Sequence, residues 1–128
     1  MEFNIPEDLE LTKKFLVKDE HIANFLGSGK VAVLSSPSMI LMMEQTAMLA
    51  AQDHLPEGWI TVGTRVDVSH LQATNKGEEI VVTAKIKLVE GKHLTFDVVA
   101  LHGENKIGEG IHERHIVNKE RFIAKIQK

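Results

Sequence analysis

The sequence predicts an α+β domain in which one antiparallel sheet wraps around a single long buried helix. Two observations carry this expectation. Between Met39 and His54 there is neither Gly nor Pro, and the stretch is apolar on nearly every side. From Trp59 onward the chain alternates apolar and polar residues between short turn signals. A helix apolar all round must be covered on most of its surface, and a curved sheet is the cover that the remaining residues supply.

The elements follow in order. Leu9 to Val17 carries Leu9, Leu11, Phe15 and Val17 on one strand face, which predicts a first strand. Asp19 to Leu26 predicts a short helical turn, stopped by Gly27-Ser28-Gly29. Val31 to Leu34 predicts a short apolar strand. Ser35, Ser36 and Ser38 then offer N-cap hydroxyls and Pro37 suits a first helical turn, so the long helix starts here. Its breaker is His54-Leu55-Pro56-Glu57-Gly58. Trp59 to Leu71 is rich in β-branched residues and predicts a strand. Glu78 to Glu90 places Ile80, Val82, Ala84, Ile86 and Leu88 on one face and Lys85 and Lys87 on the other. Gly91-Lys92 is a two-residue hairpin turn. His93 to His102 turns Leu94, Phe96, Val98 and Ala100 inward, Gly103-Glu104-Asn105 reverses the chain, and Lys106 to Val117 forms the last strand. Lys119 to Ile126 predicts a terminal helix. Strand, buried helix, then a run of antiparallel strands is the order of a hot-dog fold. A cystatin-like or nuclear-transport-factor-like roll is the alternative, though the latter usually has more helix before its sheet.

The 128 residues fit one domain spanning 1–128, with only three prolines and no Gly/Ser linker. A chain of this size buries about two-thirds of its unfolded surface and needs no covalent staple. The formal net charge is −3, which lacks the basic footprint of nucleic-acid binding. With no cysteine, a disulfide framework, a zinc–cysteine site and a thiol nucleophile are all excluded. The first residues form no secretory signal, and no apolar run nears the ~18 residues of a membrane span. The expectation is a cytoplasmic protein with no membrane partner.

Three features carry chemistry. Glu44 sits in the apolar run MILMMEQTAMLAA with no Lys or Arg within four residues. Either it faces solvent beside Gln45 and Gln52, or it is a buried carboxylate that needs a partner. In Gly63-Thr64-Arg65-Val66-Asp67-Val68-Ser69-His70, a glycine inside a strand marks a bulge or a close approach, and a histidine stands at the strand end. In Gly108-Glu109-Gly110-Ile111-His112-Glu113-Arg114-His115, the odd spacing of His112 and His115 puts them on opposite faces, a poor metal pair. No metal site is expected.

The blocks Val62-Gly63-Thr64 through Val68-Ser69-His70-Leu71-Gln72-Ala73-Thr74, and Gly110-Ile111-His112-Glu113-Arg114, resemble the fluoroacetyl-CoA thioesterase family of hot-dog proteins. That family reads GT…V…H.AAT and then G.G.HER, and carries a helical Glu eight residues after a Thr. Ser36 stands eight residues before Glu44 here. The resemblance implies thioester hydrolysis of an acyl-CoA, with Ser36, Glu44 and His70 catalytic and Gly63 and Arg114 beside the substrate. It implies no cofactor apart from the coenzyme A of the substrate. It also implies a homodimer joined sheet edge to sheet edge, with Glu from one subunit facing His from the other. Two departures stand out. Serine replaces the family's threonine, which keeps the hydroxyl and loses the methyl that stiffens χ1. Gly27-Ser28-Gly29-Lys30 replaces the longer, aromatic-containing lid of the fluoroacetyl-specific type. Two other functions fit the same fold, a non-catalytic acyl-CoA-binding module and a hydratase or dehydratase. The latter pairs an Asp with a His in a motif absent here.

Overall fold

Helix α2 (Ser36–Gln52) is the axis on which the fold is built. The Ser35 side chain caps it by accepting from the Ser38 N–H at 3.1 Å, and Pro37 lies in the first turn, where its missing donor costs no hydrogen bond. The computed structural model describes residues 3–127, so Met1, Glu2 and Lys128 of the expected domain lie outside the described residues.

Around α2 run β1 (Glu10–Leu16), β2 (Trp59–His70), β3 (Glu79–Glu90), β4 (His93–His102) and β5 (Asn105–Asn118). They form one antiparallel sheet in the order β1-β3-β4-β5-β2, which α2 touches on every strand. Two short helical pieces, a 3-10 turn (Asp19–His21) and α1 (Ala23–Leu26), lead toward α2, and α3 (Lys119–Ile126) follows β5. The α+β hot-dog expectation is the fold observed.

Period-2 patterning fills the core. Ile80, Val82, Ala84 and Ile86 of β3 and Leu94, Phe96, Val98 and Ala100 of β4 are all buried against Met39, Met42, Met43, Ala47, Ala50 and Ala51 of α2. Gly108 of β5 lies close against α2. A Cβ there would run into the Met39 thioether, so a larger residue would require that side chain to move aside.

Three expectations need correction. Val31 to Leu34 is not a strand. Instead of joining the sheet, this run makes only isolated bridges, Ile22 with Leu34 and Val33 with Asn75. Leu88 does not join the core. A register shift between Ile86 and Leu88 breaks the alternation and leaves Leu88 48% exposed. Nor is α2 covered all round, since Leu41 is 50% exposed and Leu49 36%. That side of the helix is left bare.

Candidate active site

The sequence-predicted site residues gather at two places. The first surrounds Glu44. Gly63 of β2 lies directly beneath it, and a Cβ on Gly63 would stand 3.1 Å from Glu44 Oε2, 3.3 Å from His112 Cε1 and 3.4 Å from Arg114 Nη1. The β2–β5 register shifts between Gly63 and Arg65, so the glycine marks both a bulge and a close approach. Glu44 is half-buried, whereas Gln45 is exposed, so the carboxylate is turned toward the sheet rather than outward with Gln45.

Arg114 is buried, which strand alternation alone would not favour for a cation. Its Nε donates to Thr61 Oγ1 at 2.7 Å and its Nη2 to the Thr61 carbonyl at 3.0 Å. Burial pulls its pKa down and the nearby Glu44 charge pushes it up; the guanidinium nevertheless stays cationic. Its Nη1 lies 3.1 Å from His112 Nε2. His112 Nδ1 lies 2.8 Å from the Arg65 carbonyl. A carbonyl only accepts and a guanidinium only donates, so Nδ1 carries the proton and Nε2 accepts from Arg114. Burial, the largest influence, lowers the His112 pKa, and Arg114 lowers it further against the opposing Arg65 carbonyl, Glu44 and Glu113. The neutral tautomer is the form this site holds.

Sequence reasoning treats His112 only as one half of a metal pair, and does not single out Thr61. A signal is present all the same: His112 shares its strand face with Arg114, two residues on. His115 does face the other way, toward His93, with ring centroids 6.0 Å apart.

The second place is the start of α2. Ser36 Oγ and His70 Nδ1 are 2.8 Å apart. They border a hollow of about 490 Å³ that Ala23, Ser28, Val33 and Ala73 also line. His70 Nε2 is buried and has no hydrogen-bond partner among the described residues. Burial lowers the His70 pKa, opposed in part by the backbone of Gln72, so the ring is neutral and ready to accept a proton near pH 7. Within one chain the two places are apart. Eight residues of helix separate Ser36 from Glu44, a rise of about 12 Å. Seven residues of strand separate Gly63 from His70, roughly 23 Å.

The sequence profile of the fluoroacetyl-CoA-specific thioesterases matches residues 17–120. A fluoroacetyl-CoA thioesterase from Streptantibioticus cattleyicolor is 36% identical over 95 residues, covering 74% of this chain and 68% of that protein. The chain belongs to this family. The solved fluoroacetyl-CoA thioesterase superposes with a TM-score of 0.91 at 29% identity, over 97% of this chain and 96% of the other. A variant of it in complex with fluoroacetate and CoA gives 0.85 at 31% identity, over 91% and 95%. A thioesterase-superfamily protein from Thermus thermophilus gives 0.89 at 27% identity, over 97% and 92%. By fold this family member is a hot-dog protein, and by class it is a thioester hydrolase. No helix among its described residues is long and apolar enough to cross a membrane.

Proposed function

We propose that this thioesterase hydrolyses a small or medium acyl-CoA to the free acid and CoA, as a cytoplasmic homodimer whose two sites each combine Glu44 of one copy with Ser36 and His70 of the other. The observation that carries this reading is the separation of the two half-sites within one chain. Each is incomplete alone: a carboxylate with no nearby proton-accepting imidazole nitrogen left free, and a histidine–serine pair with no carboxylate. Both lie along β2, whose outer edge is unpaired. If β2 pairs antiparallel with its own copy about a twofold between Val66 and Asp67, His70 of one copy falls across from Gly63 of the other. The same pairing removes the bare edge.

In this reading the acyl carbonyl lies over Gly63, where any side chain would collide with it or with Glu44. A backbone N–H at the bulge is the donor for the developing oxyanion. Glu44 takes a proton from water as the oxygen adds to the carbonyl, or attacks directly to give an anhydride that water then opens. The carbon–sulfur bond breaks, and the proton taken from water passes through His70 Nε2 to the departing thiolate, leaving the free acid and CoA. Ser36, bonded to the other nitrogen, orients the ring. Arg114 offsets the Glu44 charge, held in place by Thr61 and His112. No cofactor is needed beyond the CoA of the substrate.

Incubation with a panel of acyl-CoAs and a thiol reagent tests the proposal. Release of free thiol from small and medium acyl-CoAs is the expected result. Tight binding without thiol release would overturn it in favour of an acyl-CoA-binding module.

A further inference from the structure

The proposed mechanism leaves one large hollow unused. It measures about 620 Å³ and lies at the far end of the sheet, where β2 begins, the β3–β4 hairpin turns and α3 folds back. Its lining includes Trp59, Lys92, His115, Arg121, Phe122 and Lys125, and among the described residues it contains no carboxylate, in a chain whose net charge is −3. Lys92 Nζ stands 5.4 Å from the centre of the Trp59 ring, a cation over an aromatic face. Arg121 and Lys125 are one helical turn apart on α3, a like-charge spacing that weakens a helix. Among the described residues, none of these three cations has an ion-pair partner.

The hollow is also built rather than incidental. Trp59 is braced edge-to-face by Phe3 at 5.0 Å, and its carbonyl accepts from Gln52 Nε2 at 2.9 Å. The Asn118 side chain caps α3 by accepting from the Arg121 N–H at 3.0 Å, and the Lys119 N–H donates to the Gly58 carbonyl at 2.9 Å. Those bonds fix where α3 presents its cations. An aromatic face ringed by unpaired cations, in a hollow of ligand size, fits a flat base carrying several phosphates.

We infer that this hollow binds the 3′-phosphorylated adenosine diphosphate end of the CoA substrate, with the adenine on Trp59 and the phosphates on Lys92, Arg121 and Lys125. The inference rests on the acyl-CoA reading above. Its position suits that role: Trp59 precedes Gly63 by four residues on the same face of β2, roughly 13 Å along the strand, within the reach of a pantetheine arm. Binding energy from this remote end of the substrate would hold the thioester in place at Gly63.

The test uses the intact protein and two substrates with the same acyl group, an acyl-CoA and the acyl thioester of N-acetylcysteamine, which lacks the nucleotide. Arg121→Ala with Lys125→Ala, and separately Lys92→Ala, should each raise KM for the acyl-CoA, the double variant at least tenfold, and leave kcat within about twofold. Neither should change kcat/KM for the truncated thioester. Adenosine 3′,5′-bisphosphate should bind the wild type and bind the double variant at least tenfold more weakly, while inorganic phosphate competes poorly. The inference is overturned if KM for the acyl-CoA stays within twofold, if both substrates suffer equally, or if inorganic phosphate binds as tightly as the nucleotide. The Lys92 variant keeps the test valid should changes on α3 unsettle that helix. Nucleotide binding is read without catalysis, so an absence of thiol release would remove the hydrolase reading and leave this one to be judged on binding alone.

Discussion

At the scale of single residues, the proposed chemistry turns on a carboxylate and on the glycine that makes room for it. Glu44→Gln keeps the shape and removes the base, so turnover should fall by at least ~100-fold while the melting temperature barely moves. Turnover near wild type in a steady-state assay would take Glu44 out of the mechanism. Gly63→Ala places a methyl 3.1 Å from Glu44 Oε2 and 3.3 Å from His112 Cε1. The neighbours must give way by a few tenths of an ångström in the place proposed for the substrate carbonyl. We expect kcat/KM to fall about tenfold or more, roughly 1.4 kcal/mol of lost transition-state stabilisation. A Gly63→Ala variant with unchanged kcat/KM would show that the carbonyl lies elsewhere. A third residue-scale effect is pH-dependent. His112 has a lowered pKa in the folded protein, so below about 6.5 the unfolded chain binds more protons than the folded one. Stability from this group is full above that pH and is lost as the pH falls through it. Denaturant midpoints at pH 5 and 7.5 should differ in that direction, and by less in His112→Gln.

At the scale of elements, the loop between α1 and α2 decides specificity. Gly27 takes a left-handed φ of 80° as the C-cap of α1, and the only side chain of Gly27-Ser28-Gly29-Lys30 that lines the Ser36–His70 hollow is Ser28. Phe25 is bulky and 66% exposed, yet it does not line that hollow. With no aromatic lid to close around a small acyl group, kcat/KM for fluoroacetyl-CoA should lie within about tenfold of that for acetyl-CoA. A thousandfold preference for the fluorinated substrate, measured on one preparation, would show that selection does not need such a lid. The same elements show what a sequence can reveal. The β3–β4 hairpin is legible because Gly91-Lys92 and the alternation on both sides agree, and α3 because a polar cap precedes a helical run. Val31 to Leu34 misleads because strand pattern says nothing of where the run lies, and here its bridges go to the connecting residues Ile22 and Asn75 rather than to a strand of the sheet. Leu88 misleads because a bulge resets the period without a glycine or proline to announce it. Glu44, Gly63 and Arg114 are legible as a cluster only through family spacing. The role of His112 is hidden because its partners, the Arg65 carbonyl and the Arg114 guanidinium, come together only when β2 and β5 pair.

At the scale of the whole molecule, the two half-sites pose a problem of symmetry. One chain holds a carboxylate half and a histidine–serine half, separated along both α2 and β2. A twofold pairing of β2 edges completes two sites at once, and it predicts that activity and dimerisation are inseparable. The most direct test of the composite site is complementation between two inactive variants. Glu44→Gln and His70→Asn proteins, each inactive alone, are mixed and allowed to exchange subunits. In the mixed dimer one site carries both defects and the other carries neither. At statistical exchange, half of the dimers are mixed and each has one intact site of two, so activity should rise to about a quarter of wild type. Mixed dimers verified by native mass spectrometry, with thiol release no greater than that of the separate variants, would contradict a site shared between copies.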